Sequence, residues 1–169
     1  MPRYAIDRAA SSVVVKARSN IHDTETTWSE LSGSIDADAA DLAGHAAAEV
    51  VVDMTRYDAG DFLRNRKLRK DLSVDRYREA RYRLNRLHDV VDRGGGRFAA
   101  AADGTVSWHG REVAVAASGE GVFAGDELHA TARFDLDVRS FGVDPPRFLM
   151  FKVENMVAVE VSLVARRAP

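Results

Sequence analysis

The sequence predicts a mainly β domain, a sandwich or a barrel of about eight strands. Three observations carry that prediction. Apolar residues recur at every second position along most of the 169 residues, the period of a half-buried strand. Turn residues divide these runs at short intervals. Only one stretch changes to a helical period.

The runs follow in order. Ser12 to Arg18 places Val13, Val15 and Ala17 on one face and Val14, Lys16 and Arg18 on the other. Trp28 to Ala37 reads as a strand with Gly33 inside it, which marks a bulge or a close backbone approach. Ala48 to Met54 is short and rich in valine. Glu79 to Val90 sets Ala80, Tyr82 and Leu84 against Arg81, Arg83 and Asn85. Arg97 to Trp108, Glu112 to Phe123 and Glu127 to Val138 continue the alternation. Met156 to Ala165 closes it, with Val157, Val159, Val161 and Leu163 on one face.

The turns are legible too. Asp92 to Gly96 reads as a loop, because three successive glycines take positive φ without steric cost. His109-Gly110-Arg111 and Ala124-Gly125-Asp126 read as tight hairpins. Asp144-Pro145-Pro146 interrupts pairing before the last strand. Asp58 to Leu72 alone reads as an amphipathic helix, with Phe62, Leu68 and Leu72 on one face. Asp38 to Ala48 is alanine-rich, but Gly44 divides it, so it is expected to be a loop with at most one helical turn. No repeat or linker divides residues 1–169, which are expected to form a single domain.

Composition excludes several classes. The chain is 46% apolar and 30% charged, which argues against disorder. It has no cysteine, hence no disulfide, thiolate metal site or cysteine nucleophile. No apolar run approaches the roughly 18–20 residues of a membrane-spanning helix. The first residues, Met1-Pro2-Arg3-Tyr4-Ala5-Ile6-Asp7-Arg8, lack the apolar stretch of a secretory signal, so a cytoplasmic address is expected. Residues 61–83 carry nine basic and four acidic side chains, a local patch of +5 on a chain of net charge −2. That distribution is unlike the overall basic balance of a nucleic-acid binder.

Catalytic patterns are missing. His22, His45, His88, His109 and His129 form no metal-ligand spacing. There is no nucleophile elbow and no phosphate-binding loop. Gly119-x-Gly121 lacks the third glycine of a dinucleotide fingerprint. The expectation is a non-enzymatic protein with no cofactor and no metal.

A family resemblance appears at residues 104–113. Gly104-Thr105-Val106-Ser107-Trp108-His109-Gly110-Arg111-Glu112-Val113 resembles the strand-turn-strand of the YceI-like family. Tyr4-x-Ile6-Asp7 with Ser12-x-Val14 is similar to that family's opening strand. Trp28-x-x-Leu31-x-Gly33-x-Ile35, Arg64-Asn65-x-Lys67-Leu68, Val74-Asp75-Arg76-Tyr77-x-x-Ala80-x-Tyr82 and Phe141-Gly142-Val143 follow in the family's order. The resemblance implies an eight-stranded antiparallel, lipocalin-like barrel closed on one side by a helix. It also implies a long apolar ligand inside, a polyisoprenoid or a fatty-acyl derivative. Asn65 and Lys67 replace the family's acidic residue and histidine, Arg78 its proline, and Val138 its frequent arginine, while Trp108 exceeds the usual isoleucine. These departures bear on the ligand more than on the fold.

A closed barrel of this size either fills with side chains or keeps one cavity. The residues expected to face the ligand are Val13, Val15, Trp28, Ile35, Val50, Val52, Tyr82, Leu84, Phe98, Val106, Trp108, Phe134, Phe148, Phe151, Val157 and Val159. Ala100, Ala102, Ala117, Ala130 and Ala132 on strands leave room for a tunnel. Arg64 and Lys67 are the candidates for contact with a ligand head group. The expected partner is an apolar lipid. The basic run 64–70 offers an alternative role as an adaptor on a membrane surface or on nucleic acid, nucleic acid being the lesser candidate. The apolar run 146–151 offers a gate at the barrel mouth, or a surface for the helix or for a second copy in a homodimer.

Overall fold

The computed structural model describes residues 1–19, 23–143, 147–148 and 151–169, and the side chains of these apart from 19, 147–148 and 151–154. Two bent strands begin the barrel. β1 (Arg3–Ile6) and β2 (Ser12–Ser19) are one course interrupted by a 3₁₀ turn at Arg8–Ala10. Asp7 caps that turn, its carboxylate accepting the Ala9 N–H at 3.0 Å. β3 (Thr24–Trp28) and β4 (Leu31–Asp36) make the second course, which pairs back on the first, β3 on β2 and β4 on β1. Then come α1 (Leu42–His45), β5 (Ala47–Asp53), the short β6 (Tyr57–Asp58) and α2 (Phe62–Asp71).

Long strands complete the wall: β7 (Glu79–Gly94), β8 (Arg97–Trp108), β9 (Arg111–Ala124) and β10 (Glu127–Asp137). β11 (Arg147–Phe148) pairs only with the start of β12 (Phe151–Arg167). The order β4-β5-β7-β8-β9-β10-β12 is that of an up-and-down meander, every pairing antiparallel. β12 closes the ring against both halves of the first course, with Ile6 opposite Ala165 and Val13 opposite Val161. Counting each bent course once gives a closed eight-stranded barrel, and closure leaves no long edge to template aggregation.

Local chemistry explains the bends. Gly33 has φ of 126°, and a Cβ there would sit 2.0 Å from the Glu49 carbonyl oxygen. Only glycine lets β4 approach β5 that closely. In β7 the register shifts between Leu84 and Arg86. The bulge reverses the alternation, so that Leu87 succeeds Leu84 on the inner face. His109 and Gly110, with φ of 53° and 71°, form the two-residue hairpin between β8 and β9.

The two ends are capped differently. At one end α2 covers a cluster of Trp28, Met54, Leu68, Leu72, Val74, Trp108, Phe141 and Val143. At the other, α1 contributes Leu42 to a cluster with Tyr4, Leu31, Ile35, Val50 and Leu128. Three expectations need correction. The 28–37 strand is two strands with a break at Ser29-Glu30. Strand pairing runs on to Gly94, so the loop expected from Asp92 shrinks to a turn. α2 buries Leu68 and Leu72 but leaves Phe62 75% exposed. The wheel places Phe62 about 120° from Leu68, and its first turn overhangs the rim. Asp144-Pro145-Pro146 and most of the 146–151 run lie outside the described residues.

Candidate ligand cavity

The inner face is built from alternation, but its space comes from small residues. Ala100, Ala102, Ala117, Gly119, Ala130 and Ala132 occupy adjacent rows of β8, β9 and β10. Ala100 lies opposite Gly119, and Gly119 opposite Ala132. Large residues there would meet across the lumen. Across the barrel from them stand Val13 and Val15 of β2 and Val50 and Val52 of β5, while Val157 and Val159 of β12 flank β10. What remains is an elongated cavity of about 330 Å³ whose lining is almost wholly apolar. It extends from Leu42 and Ala46 under α1 to Leu68 and Leu72 under α2, and reaches Thr24, Leu136 and Val138 at the α2 rim.

The structure brings together fourteen of the sixteen residues expected to face a ligand: Val13, Val15, Trp28, Ile35, Val50, Val52, Tyr82, Leu84, Phe98, Val106, Trp108, Phe134, Val157 and Val159 all line this cavity. The side chains of Phe148 and Phe151 lie outside the described residues. Arg64 and Lys67 do not line it. Arg64 lies beside Asp61 at 3.6 Å, and Lys67 donates to Asp71 at 2.9 Å. Residues the alternation did not single out also line it. Leu87 is one, because the bulge at Asn85 switches its face. Leu68 and Leu72 are others, because a helical cap shows no strand period.

Aromatic side chains shape both ends. Tyr82 lies across Gly104, where a Cβ would come within 2.4 Å of its ring. Phe98 covers Gly121 in the same manner, 2.6 Å from where a Cβ would stand. Phe98 and Phe123 sit 5.5 Å apart, and Tyr4 packs on Phe123 at 5.9 Å. Burial, with the charge of Asp103 nearby, pushes the Tyr82 phenol above its ordinary value, so it stays a neutral donor. Its hydroxyl has no hydrogen-bond partner among the described residues.

The α2 cap is strapped on through polar groups. Trp28 donates its indole N–H to the Met54 carbonyl at 3.4 Å, and Trp108 donates to Tyr77 at 3.3 Å. His109 Nε2 lies 2.7 Å from the Leu72 carbonyl, and this contact requires Nε2 to carry the proton. The same imidazole stacks on Tyr77 at 3.9 Å. Asn65 Oδ1 accepts the Ala59 N–H at 2.5 Å, and Tyr57 donates to the Asn65 carbonyl at 2.6 Å. Phe141 and Val143, 2% and 4% exposed, enter the cluster on either side of Gly142, whose φ of 73° turns the chain between them. Thus His109-Gly110, Asn65 and Phe141-Gly142-Val143 all serve to hold the cap.

Among the described residues there is no group of three or more His, Asp or Glu placed to hold a metal. Arg81 and Glu120 border the cavity, but each is engaged in an ion pair, with Glu49 and with Arg93.

An eight-stranded antiparallel barrel enclosing an elongated apolar cavity defines a protein of the hollow, lipocalin-like class. The chain matches the YceI-like domain over residues 4–165 and belongs to that family. Among solved structures, it is similar to BcnA of Burkholderia cenocepacia, at 20% identity and a TM-score of 0.78, covering 94% of this chain and 98% of that one. It is also similar to a polyisoprenoid binding domain from Saccharophagus degradans implicated in plant cell wall breakdown. There the identity is 16% and the TM-score 0.76, over 98% of both chains. A YCEI protein from Campylobacter jejuni matches at 12% identity and a TM-score of 0.63, over 85% of this chain and 84% of that one. At such identities the likeness speaks for the fold. No curated protein matches the chain.

Proposed function

We propose that this protein binds a long apolar molecule, a polyisoprenoid or a fatty-acyl derivative, inside its barrel and carries or senses it without catalysis. The observation that carries this reading is the elongated, almost wholly apolar cavity of about 330 Å³ between the two caps. Pockets from roughly 300 Å³ upward suit small-molecule ligands. Each buried CH₂ contributes about 0.8 kcal/mol before the costs of ordering, so ten to fifteen such groups suffice for tight binding without a catalytic residue. The polyisoprenoid-binding domain among its structural relatives supports the ligand class. The unpartnered Tyr82 hydroxyl supplies one donor for a polar atom along the guest.

Ala132→Phe tests the reading, because it projects a ring from the small-residue wall. In a solid core such overpacking costs about 1–3 kcal/mol. In a hollow one the ring finds space. The expected result is that the purified wild-type protein yields lipid in an organic extract by mass spectrometry. The A132F variant would keep its melting temperature and yield none. Empty extracts from wild type, together with no displaceable binding of a fluorescent fatty acid, would overturn the proposal.

A further inference from the structure

The outward face of α2 carries an arrangement that lining a cavity does not explain. Phe62 and Leu63 are 75% and 70% exposed. The other large exposed apolar side chains among the described residues, Met1, Val91 and Met156, stand apart from one another in sequence. On the helical wheel Phe62, Arg66 and Lys70 follow one another at four-residue intervals, and Leu63 falls beside them. Leu68 and Leu72 lie on the opposite side, toward the cavity. The helix is therefore apolar on both faces at different heights, and its outer apolar pair is flanked by cations.

The ion pairs sort these cations. Lys67 is engaged with Asp71, and Arg69 with Asp75 through two bonds of 2.6 and 3.1 Å. Arg66 and Lys70 are exposed and have no ion-pair partner among the described residues. So the two cations without partners share a face with the two exposed apolar side chains. A surface complementary to that face is anionic at its outside and apolar just beneath. A bilayer with anionic headgroups has that profile. A single-stranded nucleic acid matches the charge and offers a base to stack on Phe62, but it gives Leu63 no apolar layer to enter.

We infer that the outer face of α2 is a docking surface for an anionic lipid bilayer, with Phe62 and Leu63 inserting and Arg66 and Lys70 reading the headgroups. Docking would bring the membrane within one helix diameter of the cavity, since Leu68 and Leu72 of the same helix form its roof. The inference rests on the surface itself. It complements the cavity reading without requiring it.

Sedimentation of the full-length chain with phosphatidylglycerol-containing vesicles, against pure phosphatidylcholine vesicles, tests it. Wild type is expected to bind the anionic vesicles preferentially, more weakly as salt rises. Each cation near such a surface is worth about fivefold in partitioning, so R66Q/K70Q should bind at least about tenfold more weakly. F62S/L63S should lose at least about tenfold as well, whereas R133Q, on the wall of the barrel, should bind as wild type does. In a Phe62→Trp variant the added indole should shift its emission to the blue on anionic vesicles, above the constant background of the buried Trp28 and Trp108. Equal binding by F62S/L63S and wild type, an unshifted F62W emission, or no anionic preference overturns the inference. So does tighter binding to a single-stranded oligonucleotide that survives F62S/L63S, which would make the face a nucleic-acid surface. Displacement of a fluorescent fatty acid without vesicles reads the cavity separately and should be the same in F62S/L63S and wild type. Its failure in wild type alone would sink the cavity reading and leave the docking surface standing.

Discussion

The two ends of the barrel are closed by different means. At the α1 end the strands close themselves: Tyr4, Phe98, Phe123 and Leu128 lie on the wall and fill the floor, with a single helical turn adding Leu42. At the α2 end a separate helix is laid over the opening. It is held by the side chains of Trp28, Trp108, His109, Tyr57 and Asn65, each bonded to a backbone group. A floor made of strand residues opens only if the barrel opens. A roof that is a separate helix, seated through Leu68 and Leu72 and tied by a handful of hydrogen bonds each worth about 1 kcal/mol net, can lift as a unit while the barrel stays shut. If the barrel holds a guest as proposed, the α2 end is the end through which it would enter and leave.

The largest expected effect tests how much stability the roof cluster holds. Phe141 is 2% exposed and packs edge-on against Trp108 at 5.6 Å. Phe141→Ala should cost about 3–5 kcal/mol of unfolding free energy. Phe123→Ala at the floor should cost less, because Phe123 is only partly buried and borders the cavity. Denaturant unfolding of the two variants measures both. A larger loss for F123A would show that the floor, not the roof, holds the costlier packing.

His109→Ala gives the sharper test at intermediate cost. It removes the strap to the Leu72 carbonyl and the stack on Tyr77, a loss of about 1–3 kcal/mol. The loss should be local. Hydrogen exchange should speed up at the α2 amides while β8–β10 keep their protection, and bound lipid should dissociate faster. Uniform loss of protection across the barrel would show that roof and wall unfold as one.

Sequence alone revealed the wall better than the roof, for a physical reason. Strand alternation has a period of two and marks the inner face directly, so Val13, Val15, Val157 and Val159 were legible, as were the small residues that leave the space. Two features hid from it. A bulge changes the parity without changing composition, which concealed Leu87. The helix showed its apolar residues but not its orientation: Phe62 reads as a partner of Leu68 until the barrel rim fixes which face turns inward. His109 and Asn65 were visible as parts of a family-like pattern. Their bonds to Leu72 and Ala59 span 37 and 6 residues, and no local pattern announces such partners.

The smallest effect concerns acid, and it again separates the ends. At the α1 end the hydrogen bond from Arg3 holds the Asp36 carboxyl below its ordinary value, and His129 with Arg166 does the same for Glu127. At the α2 end, burial pushes Asp53 up, but the N–H and O–H of Thr55, at 2.9 and 2.6 Å, together with the charges of Arg56 and Arg78, more than offset it. Arg69 lowers Asp75, and Arg139 lowers Asp137. A carboxyl whose folded value is depressed binds its proton more readily when the chain unfolds. Its contribution is present above the ordinary carboxylate range of roughly 4 and is lost as pH falls below it. Three such groups sit at the roof end and two at the floor, so acid should loosen the roof first. Both tryptophans belong to the roof cluster, which makes their fluorescence a reporter of that end alone, while far-ultraviolet circular dichroism reads the whole barrel. On titration from pH 6 to pH 2 the tryptophan emission should shift at a higher pH than the circular dichroism falls. In Asp53→Asn, which removes one roof carboxyl, the two transitions should move closer together. Coincident transitions in the wild type would mean that the two ends respond to protons as a single unit.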